Sequence, residues 1–167
     1  MSESGGSRNV TTTQPVSLNG ANSFTGRLAV SGTTVTINTL ANADTAQSMG
    51  QGIVQFGTGA QDGIVVYTGG AASTDKTFQI GRHHVSTNLG GGSFINDGSG
   101  AVVWTGTQFL TTSINSPRTF TLAGANVDNN DWQSTIADNE ADCPVGIAKD
   151  GTGKWIVFEQ ADDPDFR

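Results

Sequence analysis

Short runs in which apolar and polar residues alternate are spread along the middle of the chain. Typical runs are "RLAVSG", "TVTINTL", "TFQIG" and "RTFTLAG". In each of them the apolar side chains fall on one face and Ser, Thr, Gln or Asn on the other, as Phe78 and Ile80 alternate with Thr77 and Gln79. This period of two predicts β-strands with one buried and one solvated face.

Three further runs are apolar on both faces: "GIVVYTG", "AVVWTG" and "KWIVFE". Continuous apolar character indicates strands whose outer side is also covered, by a second layer or by a partner. We therefore interpret these runs as candidate contact surfaces.

Glycine-containing pairs such as Asn-Gly, Asp-Gly and Gly-Gly separate the runs and supply the positive φ that sharp turns require. A short helix is predicted near residues 44–49, with Asp44 as the N-cap, "TAQSM" as a single turn and Gly50 as the left-handed stop. An irregular loop is the alternative for these residues, because so short a helix is marginal without packing.

Many short strands separated by turns are typical of two architectures, a β-sandwich or jelly roll and a β-solenoid. Two-residue hairpin turns are scarce here, since most runs are joined by irregular polar segments of varied length. The sequence therefore favours a right-handed parallel β-helix, with the β-sandwich or jelly roll as the alternative.

Two phrases of the chain are also repeated, as expected for a repeat architecture. "LNGAN" from Leu18 returns as "LAGAN" from Leu122, and "GSGAVVWTG" returns loosely as "GTGKWIVFE". We predict that both leucines face the interior, that the glycines permit a bend, and that Asn22 and Asn126 bond the backbone at the corner. Ordinary Asx turns on unrelated loops are the alternative for the asparagine pair.

Length and charge set the domain organisation and exclude some partners. With 167 residues, the chain fits one β-helical domain at 15–158, preceded by a polar N-terminal arm at 1–14 and followed by an acidic tail at 159–167. A net charge of -7 argues against nucleic acid as a partner. The start has no apolar secretion segment, and no run is long enough for membrane insertion.

No catalytic, cofactor-binding or metal-ligating residue is assigned from the sequence. Adjacent His83 and His84 would point to opposite faces of a strand and are interpreted as surface or turn residues. Cys143 has no cationic neighbour in "ADCPVG", so we interpret it as a buried spectator.

The acidic and aromatic residues likewise favour structural roles. The segment "VDNNDWQSTIADNEAD" lacks the spacing of a calcium loop, and the aspartates of the strand region, Asp62, Asp75 and Asp97, are scattered singly. For the large aromatic side chains we favour packing in the core or at a seam over stacking on sugars or on a partner. These are Tyr67, Trp104, Trp132 and Trp155.

Several phrases resemble the autotransporter-associated β-strand repeat, also called the passenger-associated transport repeat. They are "SLNGANSFTG", "SMGQG", "VVYTGGAASTDKTFQI", "SGAVVWTG", "RTFTLAGAN" and "IAKDGTGKW", which cover most of Val16 to Trp155 in the family's order. The resemblance implies a right-handed parallel β-helix within a long, surface-exposed passenger that has no catalytic residues. Trp155 is followed by "IVFEQADDPDFR" instead of another copy of the opening phrase, so we expect the chain to hold about one repeat unit and not to be a complete autotransporter.

Three functional hypotheses follow. The leading one is a non-enzymatic structural surface protein, a decoration or fibre component of a virus particle, forming homo-oligomers. Its N-terminal arm, Met1 to Gln14, would be held by a neighbouring chain, since polar termini fray unless something holds them. The alternative is an adhesive β-helical passenger module of a bacterial surface protein, located extracellularly and able to contact a surface glycan. The third hypothesis is a polysaccharide-active β-helix enzyme.

Overall fold

A computed structural model describes residues 1–2, 4–81, 90–110, 117–139 and 143–157. Within these residues the chain forms β-strands and turns without any helix. The strands are β1 (Val10–Thr12), β2 (Val16–Leu18), β3 (Leu28–Val30), β4 (Thr33–Ile37), β5 (Val54–Phe56), β6 (Gly63–Tyr67), β7 (Ala72–Thr74), β8 (Phe78–Ile80), β9 (Gly92–Asn96), β10 (Val102–Trp104), β11 (Arg118–Ala123), β12 (Asn130–Trp132), β13 (Val145–Lys149) and β14 (Trp155–Val157).

The strands build three parallel sheets. Sheet 1 has the order β1-β3-β5-β8, sheet 2 the order β13-β11-β9-β6-β4-β2, and sheet 3 the order β14-β12-β10-β7. The chain passes from sheet to sheet and returns one strand further along each time, so that successive windings stack. This confirms the predicted parallel β-solenoid, of about four turns, and replaces the sandwich alternative. The right-handed sense of the coil stays a prediction.

The interior consists of apolar side chains stacked from winding to winding. In sheet 2 the register places Val35, Val65, Phe94 and Leu122 in one column. In sheet 3 Trp104 lies opposite Trp132, and their rings stack with centroids 4.8 Å apart. Burying each such side chain stabilises the coil by about 1.5–3 kcal/mol. The alternation read from the sequence thus corresponds to an inward face in every winding.

The two repeated phrases differ in how they fit the register. "GSGAVVWTG" and the described part of "GTGKWIVFE" are in register, because Val103 and Ile156 lie at the same level of sheet 3, with Asp131 between them. Leu18 and Leu122 both face the interior of sheet 2, but Leu122 continues the column of Val16, two residues earlier. The phrase "LNGAN" and its copy "LAGAN" therefore lie at the same corner of the coil, but their leucines are two residues apart in the register of sheet 2.

The predicted helix near residues 44–49 is wrong. This stretch forms turns, and Gln47 instead makes an isolated antiparallel bridge with Asn22. Asp44 has a φ of 63°, whereas an N-cap residue takes an extended backbone conformation. Gly50 does have the left-handed conformation that we expected, with a φ of 68°. The irregular loop was the right alternative, and contacts within the coil hold it.

Part of the predicted N-terminal arm lies in sheet 1. Its strand β1 is the edge of that sheet and pairs with β3 from Val10 to Thr12. Further towards the start, the carbonyl oxygen of Met1 accepts a hydrogen bond of 2.9 Å from the amide of Ser23. The arm is thus bonded to its own chain, while the domain boundaries and a contact of the arm with a neighbouring chain stay predictions.

The last winding, β13 and β14, forms one end of the coil, and no further described strand pairs with its outer edge. Ile147 lies at the level of the buried Phe120, and Val157 at the level of the buried Trp132. Yet Ile147 and Val157 are 37% and 39% exposed.

The described residues contain no helix long and apolar enough to cross a membrane.

Candidate functional site

The acidic residues considered from the sequence do not gather into a metal or catalytic centre within the described residues. No group of three or more His, Cys, Asp or Glu side chains there could hold a metal ion. His83 and His84 lie outside the described residues, as do the last residues of the acidic segment, 140–142.

Asp62, Asp75 and Asp97 instead brace the coil at its corners. The Oδ1 atom of Asp62 accepts a hydrogen bond of 2.7 Å from the amide of Gly91, and that of Asp75 accepts one of 2.6 Å from Ala43. Asp97 accepts one of 2.9 Å from Ala125. Each bond joins neighbouring windings, so each carboxylate satisfies a turn amide that no strand would pair. These aspartates are structural braces.

Asparagines at the corners make similar connections. Asn22 donates to the carbonyl oxygen of Ser48 at 3.0 Å, and Asn126 donates to that of Gly98 at 3.0 Å, which confirms the predicted backbone bonding. Inside the corner between sheets 2 and 3, buried Asn130 accepts a bond of 2.9 Å from the amide of Val102 and donates one of 2.8 Å to Lys154. Polar groups inside this corner are therefore bonded across three windings.

The large aromatic side chains belong to the core. Tyr67, Trp104 and Trp132 are buried, and Trp155 is half-buried. The Tyr67 hydroxyl donates to the carbonyl oxygen of Gly70 at 2.7 Å, and burial raises the pKa of Tyr67. This confirms packing in the core for Tyr67, Trp104 and Trp132, while Trp155 packs against the core from the last winding.

Lys76 is a fully buried cation that the sequence analysis did not single out. Its Nζ donates to the carbonyl oxygen of Gly50 at 2.9 Å. Loss of hydration lowers the pKa of Lys76 to about 8, and attraction to Asp44 and Asp75 partly offsets this. The sequence carries no signal for such burial, because the room arises only when windings stack.

Next to Lys76, glycines are stacked at the corner between sheets 3 and 1. A Cβ atom on Gly26 would lie 2.1 Å from the Arg8 carbonyl oxygen, one on Gly52 would lie 2.1 Å from that of Gly26, and one on Gly106 would lie 2.0 Å from that of Lys76. The backbones of successive windings approach each other so closely at this corner that a side chain at these positions would clash with the neighbouring winding. Glycine is therefore required there.

Cys143 is buried, which confirms the interpretation of a buried thiol. The fold brings it near Arg118, although no cation neighbours it in the sequence. Burial lowers the pKa of Arg118, and its electrostatic interaction with Cys143 opposes that shift. Arg118 also donates to the carbonyl oxygens of Ile80 and Gly90, at 3.3 and 3.4 Å. The arrangement ties β11 to the preceding winding.

One surface depression of the described residues is a groove at the corner between sheets 1 and 2, which we call the corner groove. It has a volume of about 540 Å³ and is lined by residues 13–15, 32–34 and 60–62 with Ile64. These segments come from three successive windings, so the groove runs along the coil. Hydroxyl and amide side chains dominate it, and Asp62 is the single charged residue of its lining.

A smaller groove of about 310 Å³ lies at the corner after sheet 3, among residues 105–108 and 133–135 with Leu110 and Ala137. Its polar groups are largely occupied. Gln108 bonds the backbone of Ala137 twice, at 3.0 and 2.8 Å, and Ser134 bonds the carbonyl oxygens of Trp104 and Gly106. We call this the closed groove, because little of its hydrogen-bonding capacity remains for a ligand.

Comparison with known proteins gives one finding and two negative results. The chain is 28% identical over 137 residues to the adhesin BmaC autotransporter of Brucella suis biovar 1 (strain 1330), and the match covers 81% of this chain and 4% of that adhesin. No family model matches the chain. No solved structure matches it. The chain is thus similar to a small part of an autotransporter adhesin, which agrees in part with the resemblance noted in its sequence.

Proposed function

We propose that this chain is an adhesive β-solenoid module of an autotransporter-like protein, located at a cell surface or outside the cell. The observation that carries the proposal is the similarity to an autotransporter adhesin over 81% of the chain. The parallel coil supports it, because stacked windings form an extended surface held by a continuous interior. The match spans only a small fraction of the adhesin, so the role of the module within a longer protein is part of the proposal.

The finer family assignment is also part of this proposal. We infer that the module is a unit of the autotransporter-associated β-strand repeat. The in-register repetition of "GSGAVVWTG" and "GTGKWIVFE" in sheet 3 supports it. The leading hypothesis from the sequence, a component of a virus particle, has no comparable support among these findings.

The module is further proposed to act by binding and without catalysis. Asp62, Asp75 and Asp97, the carboxylates that a glycan-cleaving site would need in pairs, each brace a different corner. Incubation with a polysaccharide panel should release neither reducing ends nor unsaturated products. Release of either would overturn this part of the proposal.

Attachment of protein-coated beads tests the adhesive function. Beads coated with the purified chain should attach to cultured host cells or to immobilised extracellular matrix several-fold more than beads coated with the heat-unfolded chain. Because the unfolded chain has the same composition and net charge, the difference reports the folded surface. Equal attachment of both bead types to every surface would refute the proposal.

A further inference from the structure

We propose that the corner groove is a binding site for a neutral, linear oligosaccharide. This inference deepens the proposed adhesive function, on which it rests, by naming the class of ligand and the surface that takes it. The groove volume of about 540 Å³ lies within the range of about 300–1,000 Å³ usual for small-ligand sites.

The side chains of the groove keep free hydrogen-bonding groups. Among the described residues, no hydrogen bond is formed by the side chains of Thr13, Gln14 and Gln61, and all three residues are exposed. Asp62 uses Oδ1 to accept from Gly91, which leaves Oδ2 available. Hydroxyls and amides both donate and accept, and a carboxylate accepts. Together they match the hydroxyl groups of a sugar, which also donate and accept.

The groove is held in place by the backbone of neighbouring windings. The carbonyl oxygen of Asp62 accepts from the amide of Gly32 at 2.9 Å, while its side chain bonds the following winding. Gln61 closes a tight turn through two backbone bonds with Thr58, of 3.1 and 3.2 Å. A ligand would therefore meet a fixed backbone and a fixed Asp62 carboxylate, which limits the entropic cost of binding to ordering the exposed side chains.

Two neighbouring threonines of β4 line the groove from different faces of the strand. Thr33 shares the inward face with the buried Val35 and Ile37, and its inaccessible Oγ1 is not a contact point for a ligand. Thr34 lies on the outward face and is half-buried, so it is the threonine of this strand that a ligand could contact.

The charge of the lining selects a neutral ligand. Asp62 is its single ionisable side chain, so an anionic glycan would be repelled and no cation is present to hold it. One carboxylate is also too few for a calcium site, which needs six or more oxygen ligands. Pro15 and Ile64 add apolar surface for the C–H face of a sugar ring.

The direction of the groove favours a linear chain of sugars. Its three segments come from successive windings, spaced about 4.8 Å apart along the coil. A linear oligosaccharide lying along the coil would meet Gln14 from the first of these windings and Gln61 from the third. A single monosaccharide would reach only part of this set.

Binding to immobilised neutral tri- to hexasaccharides of glucose, galactose, mannose and N-acetylglucosamine tests the proposal, with sialylated and sulfated oligosaccharides as the anionic arm. At least one neutral oligosaccharide should bind, and the anionic ones should bind less. The double variant Gln14→Ala and Gln61→Ala should weaken binding at least about tenfold, since each loss removes one ligand hydrogen bond. Gln133→Ala in the closed groove is the matched control and should leave binding unchanged.

The experiments distinguish a wrong assignment of the corner groove from a wrong assignment of the adhesive function. The inference is overturned if no neutral oligosaccharide binds, if the anionic ones bind better, or if the double variant binds like the parent chain. Should beads coated with the double variant still attach fully to cells, adhesion stands and the groove is not its site. Saccharide binding without bead attachment would instead retain the groove and refute the adhesive proposal.

Discussion

The middle windings and the last winding are built from the same strand pattern but differ in what covers their inward side chains. Trp104 and Trp132 are fully buried between neighbouring windings, whereas Ile147 and Val157 at equivalent inward positions are more than one-third exposed. A single winding of short strands cannot bury its own inward face, since burial comes from the windings on either side. Stability should therefore be concentrated in the middle of the coil.

The largest expected difference is between two positions of sheet 3 that lie at the same level. Trp132→Ala should reduce the free energy of unfolding by about 3–5 kcal/mol, because it removes a fully buried ring and leaves a cavity. Val157→Ala should cost less than about 1 kcal/mol, because the side chain is already partly hydrated. Urea unfolding measures both, and equal costs would contradict the comparison.

A comparable contrast is expected between two glycines. Gly106→Ala would place a Cβ atom 2.0 Å from the Lys76 carbonyl oxygen, so the backbone must shift, at a cost of about 3 kcal/mol. Gly146 lies in β13, where a Cβ atom would meet only the Arg118 carbonyl oxygen, at 3.8 Å. Gly146→Ala should be neutral or stabilise by about 0.5 kcal/mol, as measured by thermal unfolding.

Buried Lys76 predicts a pH dependence of stability. Burial lowers the pKa of Lys76 from 10.5 to about 8, so between these values the unfolded chain binds more protons and stability rises with pH. From about pH 7 to pH 9.5 the gain should be about 2 kcal/mol. Tyr67, with its raised pKa, opposes this only at higher pH, where the tyrosine of the unfolded chain ionises.

Two substitutions isolate that contribution. Lys76→Met should abolish the gain in urea unfolding free energy, and Lys149→Met, on the last winding, should retain it. Identical pH profiles for the parent chain and the Lys76→Met variant would show that the buried amine does not titrate in this range.

The smallest expected effect concerns local opening. Backbone amides of β13 and β14 should exchange with deuterium faster than those of β6 and β9, because partial exposure of the last winding lowers the free energy of its opening. Hydrogen exchange followed by mass spectrometry resolves these strands. Uniform protection over all four would show that the coil opens only as a whole.

The sequence predicted the architecture better than the local details. The alternation in "TVTINTL" and "TFQIG" marks β4 and β8 correctly, and the scarcity of hairpin turns identified the parallel coil. The helix near residues 44–49 failed because a local cap signal cannot anticipate the bonds that hold this turn: Gln51 donates to the carbonyl oxygen of Asp44, and Asp75 of the next winding accepts from Ala43. The repeat beginning at Leu18 identified a corner of the coil but not the register of its strand, because the two copies of the phrase are offset by two residues in sheet 2.

The polar features could not be read from local sequence. Lys76 is buried against other windings, where its Nζ bonds Gly50 of the preceding one, and the proximity of Arg118 and Cys143 depends on how β11 and β13 stack. The corner groove likewise joins segments about 20 to 30 residues apart, by a stacking period that the variable loops conceal. Each of these features becomes visible only when the windings are aligned.

The aspartate and asparagine braces have an evolutionary consequence. Since the corners are held by side chains that bond the adjacent backbone, and the interior by inward columns, the outward residues of the sheets carry little of the architecture. Substitutions there should accumulate freely in related proteins, allowing one scaffold to diversify what it recognises while its inward residues and braces remain under purifying selection.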